Sequence, residues 1–245
     1  HVNQWHELNS PTMQVTVVKD TSLTNAGDAL RELDKRNLVQ SDPFLLLHGD
    51  VVTNVDLQDA LQAHKERHKQ DSSAIMTILF KPARPWNVLE SEDDNNKSSH
   101  RAFYSTIRAS TEDLVVGLDT STTVPGGAPR IFVYDDKASQ SSINVPCSFF
   151  TTCPHLDLRC DLMDCHMDIC SPDVLARFSD EFDYRDIRRE FVANSVAEEE
   201  EGLQQKLYAH ILRPHEYAAR VHDWRTYAAI SNDLLRRWCY PIVPD

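Results

Sequence analysis

Basic charge is in short supply. Lys and Arg number 25 against 38 Asp and Glu, a formal net charge of −13. A nucleic-acid surface needs clustered Lys and Arg, so direct binding of DNA or RNA is not expected. Long hydrophobic runs are missing as well. None approaches the roughly 18 residues of a membrane helix, and the opening residues lack a signal-peptide pattern. Glycine occurs only six times, and its one pair, Gly126-Gly127, follows Pro125. Neither the Lys nor the flanking residues of a phosphate loop accompany it. The six cysteines, at 147, 153, 160, 165, 170 and 239, include no Cys-x-x-Cys pair. A zinc site from Cys153, His155, Cys160, Cys165 and His166 would match no standard ligand spacing. Reduced thiols of a cytosolic protein are the expectation, with no metal and no cofactor. The chain opens on His1 rather than Met and without a strand-and-turn start, and is expected to be a fragment or internal segment.

What is present organises itself around residues 42–61, Asp-Pro-Phe-Leu-Leu-Leu-His-Gly-Asp-Val-Val-Thr-Asn-Val-Asp-Leu-Gln-Asp-Ala-Leu. Residues 44–47 form an apolar run too short for a helix and suited to a strand buried on both faces. Gly49 allows a sharp turn, and Asp50 arrives at the carboxyl end of the strand. Asp56 is the expected cap of the next helix, with Asp59 in the capping-box position. Leu57, Ala60, Leu61 and His64 share its apolar face. In open α/β sheets ligands sit just outside such strand ends. An Asp there either holds Mg²⁺ against a phosphate or simply forms the turn; spacing alone leaves both open.

Residues 13–18 predict a short strand and residues 74–80 a buried one. After Asn25, Ala26, Ala29, Leu30 and Leu33 share a helical face. Gly27 either lets a ligand approach the helix amides or belongs to the cap. Two βα units with short links predict a mainly parallel sheet covered by helices. Residues 92–100 read as a solvated loop, 114–119 and 130–134 as a hairpin with a turn-rich link. Residues 163–169 alternate as a strand with one buried face, which puts His166 in solvent. Ser171-Pro172-Asp173 opens a helix. The mixture of aromatics and arginines over 178–192 suits either an interaction surface or a helix packed on the sheet. Residues 198–201 are a solvated acidic run, and 206–212 a strand. Asp223 caps a last helix through Arg237, with Trp224, Tyr227, Ala228, Leu234 and Leu235 inward.

The run from Phe44 through Gly49-Asp50 to Leu57 resembles the sugar-nucleotidyltransferase family, in which the equivalent Gly-Asp holds the catalytic metal and sugar. Asn25-Ala-Gly-Asp-Ala-Leu is similar to that family's Gly-Ala-Leu helix start. Asp164-Cys-His-Met-Asp-Ile-Cys-Ser-Pro-Asp-Val-Leu, Phe182-Asp-Tyr-Arg-Asp, Phe191-Val, Glu216-Tyr-Ala-Ala-Arg-Val and Arg236-Arg-Trp-Cys-Tyr-Pro-Ile-Val-Pro-Asp narrow the resemblance. They are similar to the epsilon subunits of eukaryotic translation initiation factor 2B, a branch of that superfamily.

The resemblance implies an α/β, Rossmann-like nucleotidyltransferase fold over residues 1–245, with a mainly parallel mixed sheet and helices on both faces. The first strand and glycine-rich loop, a left-handed β-helix and a C-terminal helical exchange domain would lie outside the chain. It implies guanine-nucleotide exchange on the initiation factor 2 GTPase, carried mainly by that missing domain. Partners would be the sister subunits, gamma first, then alpha, beta and delta, and the GTPase itself. Two departures qualify this. Arg220 and His222 stand where active transferases carry a second metal-binding carboxylate in an Asp-x-Gly motif, which implies no catalytic residue and a vestigial cleft of Gly27, Gly49, Asp50 and Arg220. Glu181-Phe182, followed by Asp183, stands where the epsilon subunits have an Asn-Phe pair implicated in contacting the GTPase. An active Mg²⁺-dependent sugar-1-phosphate nucleotidyltransferase is the alternative, and a domain that binds a nucleotide without turning it over is a third.

Overall fold

A computed structural model describes residues 15–82, 114–121, 127–136, 145, 155–197, 205–213 and 215–242. The 92–100 loop, the 198–201 acidic run, Cys147 and Cys153 lie outside the described residues.

Helix α1 (Ala26–Lys35) starts at Asn25, whose side chain accepts from the Asp28 amide at 2.8 Å. Strand β1 (Phe44–Leu47) and β2 (Val51–Thr53) follow, then α2 (Gln58–Gln70) and β3 (Ala74–Pro82). The expected hairpin is β4 (Val115–Asp119) with β5 (Arg130–Asp135). Next come β6 (Leu156–Arg159), β7 (Leu162–Cys170), α3 (Asp173–Asp180) and a π-helical turn (Ile187–Val192) that runs into α4 (Ala193–Ala197). Strands β8 (Lys206–Ile211) and β9 (Ala218–Arg220) precede α5 (Trp224–Leu235).

Seven strands make one mixed sheet in the order β1-β7-β3-β8-β5-β4-β6, and β2 with β9 forms a separate ribbon. Strands β3 and β8 pair in parallel, while β7 lies antiparallel to both β1 and β3. The two strands of the expected βα units therefore run in the same direction but are separated by β7. One face of the sheet packs Met76, Ile78 and Phe80 against α1, α3 and the π-helical turn through Leu30, Val174, Phe178 and Phe191. The other packs Leu79, Met167 and Ile169 against Ala60 of α2 and its neighbours Leu57 and Leu61. Helices thus cover both faces, the α/β arrangement the sequence predicts.

Several expectations change at the level of elements. Residues 15–18 are not a strand; Val17 is exposed and finds no sheet partner among the described strands. Strand β1 is at the sheet edge, so Leu45 and Leu47 remain exposed instead of being buried on both faces. Asp56 does accept from the Gln58 amide at 3.0 Å, but Asp59 reaches across to Arg213 at 2.5 Å instead of closing a capping box. At α3 it is the Ser171 carbonyl, not its hydroxyl, that takes the first amide, that of Val174, at 3.1 Å. Helix α5 keeps its predicted cap, a capping box between Asp223 and Thr226. Its buried residues are Thr226, Ile230 and Asp233, and Leu234 packs inward as expected, whereas Trp224, Tyr227, Ala228 and Leu235 face out.

Candidate functional site

The site is built at the carboxyl end of β1, where the chain turns into the β2–β9 ribbon. The Val51 amide donates to the His48 carbonyl at 3.3 Å and closes a turn over Gly49 and Asp50. Gly49 does not sit at positive φ, and a Cβ there would meet nothing within 4 Å. Its turn is therefore open to other residues. Register then sets Asp50 beside Arg220: Val51 pairs with Arg220, and the Val221 amide donates to the Asp50 carbonyl at 2.8 Å. Arg220 Nε lies 3.0 Å from Asp50 Oδ1 and 2.9 Å from Oδ2, donating to both oxygens. Burial alone would raise the Asp50 carboxyl, but the hydrogen bond and charge of Arg220 outweigh it and hold the group below its ordinary value.

Behind this pair stands the bulge of β7. From Ile78–Asp168 to Phe80–Asp164, β3 advances two residues while β7 advances four. The extra residues are accommodated by His166 in the left-handed region, at φ 51°, a conformation to which His is better suited than most side chains. Asp164 Oδ1 accepts from the His166 amide at 2.7 Å, and the His166 carbonyl accepts from the His48 amide at 3.2 Å. The imidazole is thereby turned toward the cleft instead of into solvent. Its Nε2 is 3.4 Å from Arg220 Nη1, its ring centroid 4.9 Å from that of His48, and its Nδ1 is buried without a partner. Burial pushes His166 down to about 4. His48 is lowered too, first by burial and then by Arg220 and Arg188.

The remaining polar residues of β7 are not solvated either. Arg188, on the π-helical turn, reaches both Asp164 and Asp168. Its Nη2 donates to Asp164 Oδ1 at 3.0 Å and to Asp168 Oδ1 at 2.8 Å, its Nη1 to Asp168 Oδ2 at 2.9 Å, and its Nε to Asp164 Oδ2. Tyr134 on β5 adds a hydrogen bond to Asp164 Oδ2 at 2.9 Å. Burial raises Asp168 to about 6 despite Arg188, while Arg188 overrides burial at Asp164 and lowers it. The π turn itself is fixed by Asp186, which accepts from the Arg188 and Arg189 amides at 2.8 Å each. Such single turns recur at functional sites.

Beside these residues opens a cavity of about 480 Å³, lined on its polar side by His48, His166, Arg188, Arg189, Arg220 and Asp164; Asp50 stands behind Arg220, outside the lining. Of the four cleft residues expected from sequence, Asp50 and Arg220 meet directly. Gly27 is used for packing instead of ligand approach. Its amide donates to the Arg185 carbonyl at 3.1 Å, and a Cβ would lie 1.9 Å from the Tyr184 carbonyl oxygen. Its neighbour Ala26 lines the cavity. A Mg²⁺ ion bound to Asp50 would meet the Arg220 guanidinium, so this pair does not fit the two-carboxylate metal site of the transferase family. Among the described residues there is no group of three or more His, Cys, Asp or Glu placed to hold a metal.

Sequence reasoning missed Asp164, Asp168, Arg188, Tyr134 and His48. A signal was present: three polar residues on one side of a strand otherwise rich in Met, Cys and Ile need buried partners once that strand is central. The exposed triplet Glu181, Phe182 and Asp183 lies on the turn after α3, just before the π-helical turn in sequence but outside the cavity lining. Phe182 is 76% exposed, with the Arg31 guanidinium 6.0 Å from its ring centroid. Its aromatic neighbours Phe178, Tyr184 and Phe191 are instead buried on one another, with Phe178 and Phe191 centroids 5.0 Å apart. For these three, helix packing is the correct alternative.

The fold and site define an α/β domain of nucleotidyltransferase-like architecture in which an arginine neutralises the cleft carboxylate. No family model matches the chain. Its similarity to known proteins is nonetheless extensive. It is 38% identical over 243 residues, 99% of the chain, to translation initiation factor eIF2B subunit epsilon of Dictyostelium discoideum. It is 37% identical, again over 99% of its length, to the subunit of the same name from Schizosaccharomyces pombe. The chain spans 30% and 32% of these relatives, respectively.

Proposed function

We propose that this chain is a non-catalytic scaffold and docking domain within an epsilon-type subunit of a guanine-nucleotide exchange factor that recycles translation initiation factor 2 from its GDP- to its GTP-bound form. One observation carries the non-catalytic part: Arg220 Nε lies within 3.0 Å of both Asp50 oxygens. In a cleft built for nucleotidyl transfer that place belongs to a cation balanced by a second carboxylate, which here is replaced by a fixed positive charge. The exchange chemistry is release of GDP from a partner, and no residue of this domain is needed as general acid, base or nucleophile. Glu181, Phe182 and Asp183 form the docking contact for the GTPase, with Phe182 as its aromatic anchor. The acidic balance of the chain suits basic partner surfaces in the cytosol, and sister subunits, gamma first, assemble with it.

The test is Asp50→Ala in the full-length subunit within its complex. GDP release from the GTPase stays within twofold of wild type; a tenfold loss without unfolding overturns the non-catalytic assignment. Mg²⁺-dependent pyrophosphate release from GTP with sugar phosphates by the wild-type subunit would establish the transferase instead. A second reading, binding of a ligand without turnover, is favoured by the cavity beside Arg188, Arg189 and Arg220. Equilibrium dialysis with GDP-mannose as the probe measures it directly.

A further inference from the structure

Helix α5 keeps both of its aromatic side chains outside. The residues it buries are Thr226, Ile230 and Asp233, two of them polar. Its largest side chains point away from the domain: Trp224 is 87% exposed, Tyr227 56% and Leu235 71%. At 100° per residue, positions 224, 227, 228, 231 and 235 fall on one face, so Trp224, Tyr227, Ala228, Ser231 and Leu235 form a continuous stripe. The two aromatics meet edge to face, with centroids 6.2 Å apart. The helix carrying them is a firm platform: its start is fixed by the Asp223–Thr226 capping box, and Tyr217 Oη donates to Asp233 Oδ2 at 3.0 Å beneath it. Aromatic side chains contribute about 150–250 Å² each when covered, and apolar patches beyond a few hundred Å² mark interaction sites.

Charge says what kind of partner fits. The chain as a whole is at −13, yet between 224 and 242 the only carboxylate is Asp233, which is buried, while Arg225, Arg236 and Arg237 are exposed. By the same 100° rule Arg225 and Arg236 stand in one row about a quarter-turn from the apolar stripe. A second copy using the same face would set these arginines against each other, which disfavours a symmetric dimer.

We propose that the outer face of α5 docks an acidic, apolar segment of a sister subunit, its hydrophobic ridge on Trp224, Tyr227 and Leu235 and its carboxylates against Arg225 and Arg236. Aromatic and arginine side chains are those enriched at the centres of such contacts. This inference rests on the subunit assignment above and adds the surface and the partner's chemistry.

Hydrogen exchange of the full-length chain, free and assembled with its co-expressed sister subunits, tests it. The expected result is at least tenfold slower exchange over 224–235 in the complex only. Trp224→Glu and the charge reversal Arg225→Glu/Arg236→Glu, both at exposed positions, each weaken assembly at least tenfold in wild-type folded chains. Protection already present in the dilute free chain would mean that the face is covered by its own polypeptide. Protection that grows with the concentration of the free chain would mean a second copy. No protection in either state would mean an unoccupied face. Each of those three outcomes overturns the proposal while leaving the subunit assignment intact. Failure of the wild-type chain to assemble at all would overturn both.

Discussion

Arg220 and Arg188 are both arginines bound to strand aspartates, yet they do opposite things. Arg188 is buried between Asp164 and Asp168, with the hydrogen bonds that make a buried ion group tolerable. Removing one member of such a group leaves charge uncompensated, at about 3–5 kcal/mol. Arg188→Ala is therefore expected to lower stability by that order, measured by urea unfolding; a loss below about 1 kcal/mol would mean that water replaces the guanidinium. Arg220 is partly exposed and its pairing with Asp50 contributes little to stability. Its consequence is electrostatic: Arg220→Asp places two carboxylates side by side. Millimolar Mg²⁺ should then raise the melting temperature of the variant and not that of the wild type. An equal response would show that more than charge separates this cleft from a metal site. Gly27 is fixed by sterics alone. Gly27→Ala, with a Cβ driven against the Tyr184 backbone, should cost at least the ~1–3 kcal/mol typical of overpacking.

At the scale of elements, β7 and the turn that faces it decide the architecture. A strand with Asp164, His166 and Asp168 on one side would ordinarily lie at an edge with that side wet. Here it is inserted between β1 and β3, and the π-helical turn delivers Arg188 to neutralise it. Phe178 of α3 and Phe191 of the turn close the same face. Phe178→Ala, at a fully buried position, should cost about 3–5 kcal/mol and loosen the turn that carries Phe182. Slower amide exchange there in the variant than in the wild type would contradict this coupling.

The whole molecule carries a pH dependence set by its buried histidines. His64, on the buried face of α2 against Thr77 (Nδ1 to Oγ1 2.9 Å), and His166 are both pushed down to about 4, chiefly by burial. In the unfolded chain they take up protons near the ordinary value of 6.5. Between these values the unfolded state binds more protons, so stability is full above about 6.5 and falls as the pH drops toward 4. Asp168, raised to about 6, works the other way, since the folded state binds its proton first. Burial also lowers His48 and His210 and raises Asp233, so four histidines against two carboxyls leave a net loss. The urea midpoint should decrease from pH 7 to pH 4.5, and a flat or rising midpoint would show that these groups are not buried as described.

Periodicity and capping chemistry determined which stretches became helix or strand, because both act within a few residues. The strand at 44–47, the β4–β5 hairpin, the Asp223 cap and the sheet with helices on both faces were legible for that reason. Motif resemblance pointed to Asp50 and Arg220 together, and the fold sets them side by side although 170 positions separate them. What tertiary structure alone decided is which faces are wet. The edge position of β1 exposes Leu45 and Leu47, the central position of β7 buries two aspartates, and α5 turns Trp224 outward. Alternation and helical spacing mark that two faces differ, but not which neighbour each will meet. That is settled by strand order and by contacts between residues far apart in sequence.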